Sequence, residues 1–106
     1  MDVAQSLLDM IRLLGHQASW AEEAQAALRL HRQHRPDTVF CDIGLPGMDG
    51  YELARALRRE GSGARLVALT GYATPDDIKR AIDAGFDLHM AKPADPQRIS
   101  ALLGDP

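Results

Sequence analysis

The sequence contains one cysteine, Cys41, so no disulfide can form within the chain. A disulfide scaffold is excluded, and a reducing, cytoplasmic setting is expected. No apolar run approaches the ~18 residues that a membrane-spanning helix needs. The start of the chain lacks the basic flank and apolar stretch of a signal peptide. Basic residues are not in excess either: the net charge is −3, with 25% of residues charged. No nucleic-acid partner and no membrane surface are expected from that balance. His16, His31, His34 and His89 show no ligand spacing, which argues against a zinc site. Repeats and low-complexity tracts are absent as well. What is present is 45% hydrophobic residue content over 106 residues, enough for one domain spanning the chain.

The pattern of apolar residues alternates between two periods. Asp2 to Leu14 is predicted to be a helix, with Asp2 and Gln5 in capping-box positions and Val3, Leu7, Met10, Ile11 and Leu14 on one stripe. A short strand is expected over His16 to Trp20, then a helix over Glu22 to Arg32. Ala24, Ala27, Leu28 and His31 share one side of that helix, and His31 and His34 are read as surface residues. Pro36 ends it by disfavouring the helical conformation at Arg35. Thr38 to Asp42 is a mostly apolar strand between helical patterns, the mark of a parallel strand covered on both faces. Gly50 to Arg59 is helical, with Tyr51, Leu53, Ala54 and Leu57 facing in and Glu52 and the arginines facing out.

A second buried strand, Arg65 to Thr70, ends on a hydroxyl. Thr74-Pro75-Asp76-Asp77 opens the next helix with a cap, a proline at the first helical position and acids in the first turn. Ile78, Ala81 and Ile82 are expected to face inward, and Gly85 to stop the helix. Phe86 to Ala91 reads as a further strand ending at Lys92-Pro93, and a last helix runs from about Pro96 to Leu103. Strict alternation of helices and strands implies an α/β fold with a parallel sheet and helices on both faces. Parallel strands present their carboxyl ends on one edge, so Asp42, Thr70 and Lys92 should converge there. Open α/β sheets bind ligands at that edge. A carboxylate can attack a phosphoryl group, a lysine can neutralise phosphoryl oxygens, and a hydroxyl can bond another oxygen. Spacing alone does not name the reaction.

Asp42-Ile-Gly-Leu-Pro-Gly-Met-Asp-Gly50, Leu69-Thr-Gly71, Gly85-Phe86 and Lys92-Pro93, in that order, resemble the receiver domain of two-component response regulators. The resemblance covers nearly the whole chain. It implies a flavodoxin-like three-layer sandwich with strand order 2-1-3-4-5. It also implies Asp42 as phosphoacceptor, Thr70 as switch hydroxyl and Lys92 as phosphate contact, with Gly44 lending a backbone carbonyl to Mg²⁺. His89 stands where the family usually has a switching aromatic. Gly71-Tyr72 and His89 are similar to receivers fused to hybrid histidine kinases. The implied partners are a sensor histidine kinase and a downstream protein, and no enzymatic activity is implied.

In that family a first strand, ending in an acidic pair that holds Mg²⁺, precedes the first helix. This sequence starts at that helix. The expectation is an N-terminally shortened receiver over 1–106 with a gap in its sheet, weak Mg²⁺ binding and self-association as a homodimer through strand edges. A degenerate receiver, never phosphorylated and acting only as an interaction or dimerisation module, is the rival reading. A flavodoxin-type cofactor domain is disfavoured, because no phosphate-cradling loop follows a first strand.

Overall fold

The computed structural model describes residues 3–17, 24–43, 50–71, 74–91 and 95–104. Eight elements lie among them: α1 (Val3–Leu13), α2 (Ala24–His34), β1 (Thr38–Asp42), α3 (Gly50–Arg59), β2 (Arg65–Thr70), α4 (Pro75–Ala84), β3 (Leu88–Ala91) and α5 (Pro96–Leu103). The chain divides into two units, residues 21–92 and residues 1–20 with 93–106.

The larger unit is built on a parallel sheet of order β1-β2-β3. In the middle, Leu66 to Thr70 of β2 are all buried, as expected of a run with no charge between Leu66 and Thr70. Its side chains alternate. Leu66 and Ala68 join a cluster with Cys41, the buried face of α3 (Tyr51, Leu53, Ala54 and Leu57) and Ala81, Ala84 and Phe86. Ala24, Ala27 and Leu28 of α2 pack against that cluster, and Val67 and Leu69 are buried on the opposite face of the strand. The spacing of Leu53, Ala54 and Leu57 is the helical one, so a single stripe of α3 supplies most of the seal over the sheet.

Local chemistry fixes the ends of α4. The Thr74 hydroxyl accepts from Asp77 N and donates to Asp77 Oδ2 at 2.8 Å, with Pro75 in the first turn. At the other end Gly85 has φ +114°, where its N–H and that of Phe86 satisfy carbonyls of the last turn. A side chain is excluded there: a Cβ on Gly85 would lie 2.8 Å from Arg58 Cγ.

In the smaller unit, α1 and α5 pack together, and His16 Nε2 reaches Gly104 O at 3.2 Å. Asp95 caps α5 by accepting from Gln97 N at 2.9 Å. Ile99 is fully buried, and so is Leu8, one position along from the expected stripe of α1. Met10, Ile11 and Leu14 on that stripe are half-buried.

Five expectations need correction. His31 is buried, not on the surface: its Nε2 lies 2.8 Å from Ser62 Oγ, which also accepts from Ala64 N. Arg58 is half-buried and turned back onto the sheet end, where it donates four hydrogen bonds, to the carbonyls of Gly85, Ser62 and Ala64 and to the Asp87 carboxylate. Ile82 is 60% exposed, since the inward stripe of α4 runs through Ala81 and Ala84. The last strand begins at Leu88 rather than Phe86: Phe86 N is spent on the cap of α4, and Asp87 N makes the first bond to β2, to Leu66 O at 2.8 Å. His16 and Gln17 are not in a strand, and the rest of that predicted strand lies outside the described residues, as do Asp2 and Glu22.

Candidate functional site at the strand ends

β1, β2 and β3 are parallel, so their last residues, Asp42, Thr70 and Ala91, lie along one edge. Asp42 is in register with Leu69, and Thr70 with Ala91. The ladder does not stop at Asp42. Ile43 N donates to Leu69 O at 3.1 Å, so the backbone is held on both sides of the carboxylate. Asp42 itself is half-buried.

Gly50 explains how the following helix reaches this place. A Cβ there would stand 3.0 Å from Cys41 Sγ and 3.5 Å from Ile43 Cα. Only a residue without a side chain lets the first turn of α3 come so close to the end of β1. The sequence places Gly50 only as the first residue of this helix; its close approach to the end of β1 shows in the fold alone.

Thr70 carries the most informative feature. The residue is 7% exposed, and among the described residues its Oγ1 has no hydrogen-bond partner. A buried hydroxyl without a partner costs about 1–3 kcal/mol, so such groups are rare outside sites that await a ligand or a change of state. Beyond it, His89 is half-buried in register with Ala68, while Met90, on the opposite face of β3, is buried. Lys92 follows β3 directly in the sequence, but Lys92 and Gly44 lie outside the described residues.

The described part of the site thus brings together a carboxylate and an unsatisfied hydroxyl at neighbouring strand ends. The carboxylate can attack an electrophile or bind a hard cation through oxygen. The hydroxyl can donate to an oxygen arriving beside it. Among the described residues no group of three His, Cys, Asp or Glu side chains is gathered to hold a metal. From them, a Mg²⁺ ion at this edge would take Asp42 as its carboxylate, and its positive charge would offset phosphoryl oxygens.

A model of the response regulator receiver domain matches residues 1–104, and the chain belongs to that family. It is a domain of two-component signalling, with the parallel-sheet flavodoxin-like fold of the family. The chain is 42% identical over 96 residues to probable histidine kinase 2 of Oryza sativa subsp. indica, covering 87% of this chain and 9% of that protein. It is 36% identical over 108 residues to the sensor histidine kinase AruS of Pseudomonas aeruginosa, covering 98% of this chain and 10% of that one. The chain therefore spans about a tenth of the length of these two kinases.

Among solved structures, the receiver domain of sensor histidine kinase PA1611 from Pseudomonas aeruginosa PAO1 superposes with a TM-score of 0.82 at 29% identity, over 95% of this chain and 85% of that one. That structure has a magnesium ion coordinated in its active-site cleft. Chemotaxis protein CheY4 of Vibrio cholerae superposes with a TM-score of 0.88 at 21% identity, over 95% of this chain and 86% of that one, a likeness of fold.

Proposed function

We propose that this domain accepts a phosphoryl group on Asp42 from a sensor histidine kinase and signals by a change of conformation. An Asp42 carboxylate oxygen attacks phosphorus, the bond to the donor's leaving group breaks, and an acyl phosphate forms on Asp42. Lys92 neutralises phosphoryl oxygens; Asp42 and the Gly44 carbonyl would hold a Mg²⁺ ion, which would supply further positive charge. The observation that carries this reading is the buried Thr70 hydroxyl, which has no partner among the described residues. A phosphoryl group on Asp42 adds a charge of about −1.5 to −2 and three strong acceptors. Donation from Thr70 Oγ1 to one of those oxygens would satisfy the hydroxyl and draw the end of β2 toward Asp42. His89, on the neighbouring strand, follows that movement. Output passes to a downstream protein by contact.

The test is intact-mass measurement after incubation with acetyl phosphate and Mg²⁺. The wild type should gain one phosphoryl group and Asp42→Asn none. Equal uptake by both proteins would rule out Asp42, and uptake by neither would favour a receiver that works only as an interaction module.

A further inference from the structure

α4 is docked on its neighbours by small side chains. Its buried residues are Ala81 and Ala84, both in its second half. From Pro75 to Arg80 no residue is buried, and only Asp77 and Ile78 are half-buried. Ile82, the other isoleucine of the helix, is largely exposed. An alanine removes little apolar surface from water, so packing alone holds this helix weakly, and its first half least.

Two arginines add to that packing. At the carboxyl end, Arg58 of α3 donates from Nε to Gly85 O at 3.0 Å, while Gly85 N and Phe86 N close the last turn onto Ile82 O and Ala81 O, both at 3.0 Å. Nearer the middle, the guanidinium carbon of Arg80 lies 4.4 Å from the centre of the Tyr51 ring. A cation over an aromatic face is attracted by the ring quadrupole. That ring is itself held in place: Tyr51 is buried, and it follows Gly50, which comes close to Cys41 Sγ and Ile43. The contact therefore ties α4, through the first turn of α3, to the end of β1. Thr74, the cap of α4, follows Thr70 of β2 by four residues in the sequence.

We infer that α4 opens from its amino-terminal half while its Gly85 end stays fixed, and that Arg80 stacked on Tyr51 is the latch that holds this half closed. Opening is a local event of the folded chain, of the kind in which one segment with few buried contacts leaves and returns while the core stays intact. It is a property of the chain itself and does not depend on the reading of Asp42 as the phosphoacceptor. Arg80 is exposed, so it can leave the ring without stranding a charge in the core.

The test is native-state hydrogen exchange followed by NMR on the 106-residue chain, with no phosphodonor present. In the wild type the amides of Ile78, Lys79 and Arg80 should be less protected than those of Ala84, Gly85 and Phe86. Arg80→Met keeps the alkyl stem and a similar helix propensity, so a change in exchange reports the lost contact. It should speed exchange of the first group about two- to fivefold, the worth of an exposed cation–π contact, and leave the second group as it was. Tyr51→Phe, which keeps the ring face, should match the wild type. In a Tyr51→Leu background Arg80→Met should add nothing, because the ring it stacks on is gone. Equal protection along α4, equal acceleration of both groups by Arg80→Met, or no acceleration at all would overturn the inference.

Discussion

At the scale of single residues, two side chains show how much depends on partners far away in sequence. His31 is buried with its Nε2 beside Ser62 Oγ, while its Nδ1 has no partner among the described residues. Removing the serine hydroxyl leaves a second buried nitrogen and the Ala64 N–H in need of partners. Ser62→Ala should therefore lower stability by about 1–3 kcal/mol, read as a shift of the urea midpoint at unchanged slope. Arg32 makes a two-armed contact with Glu60, Nε to Oε1 and Nη2 to Oε2, both at 2.9 Å. The hydrogen bond from Arg32 holds the Glu60 carboxyl below its usual value of 4.5. A lowered folded-state value means stability that is present above the unfolded value and lost as pH falls through the folded one. The pair lies at the surface, so salt should weaken it. In an NMR titration the Glu60 midpoint should lie below 4.5 and rise in Arg32→Met; equal midpoints would show that the contact is not kept in solution.

Elements here are fixed by their ends. The cap at Thr74 satisfies Asp77 N, and Thr74→Ala should cost about 1 kcal/mol of stability without altering the core. Gly85→Ala should cost more, about 1–3 kcal/mol from backbone strain alone, because Gly85 has φ +114° and faces Arg58. Thermal melts of the two variants would rank them, and a Gly85→Ala protein as stable as Thr74→Ala would contradict the geometry. Arg35 offers the reverse case. It closes α2 with φ +48°, a conformation that a non-glycine residue adopts at a cost. The proline after it disfavours continuing the helix, while Arg35 N still closes the last turn onto His31 O.

The whole molecule brings the strand ends together, and its response to metal should reflect what stands there. Among the described residues the edge offers Asp42 as its carboxylate. Mg²⁺ prefers near-octahedral oxygen ligands and gives up water reluctantly, so a site with few anionic ligands binds it weakly. Calorimetry of the 106-residue chain should show millimolar or weaker binding, and Asp42→Asn should abolish it. Submillimolar affinity would mean that further carboxylates, from this chain or a second copy, complete the site. The proposal that Thr70 responds to the modified Asp42 belongs to this scale too, because it joins two strands whose ends meet only through the sheet.

By itself the sequence determined where most of the elements lie. β1, α3, β2, α4 and α5 begin and end where their apolar periods, prolines and glycines place them, because caps and periodicity act over a few residues. It also placed Asp42 and Thr70 at the ends of parallel strands, since alternation of helix and strand leaves little other topology. Tertiary structure decided the rest. Burial of His31, exposure of Ile82, the late start of β3 and the clasp of Arg58 each depend on which distant segments meet. A helical period tells which side chains share a face, but not how far the packing reaches around it or which loop carbonyls will need a donor. The hydroxyl of Thr70 is of the same kind: a strand-ending threonine can be read from the chain, but its lack of a partner among the described residues becomes visible only when its neighbours are in place.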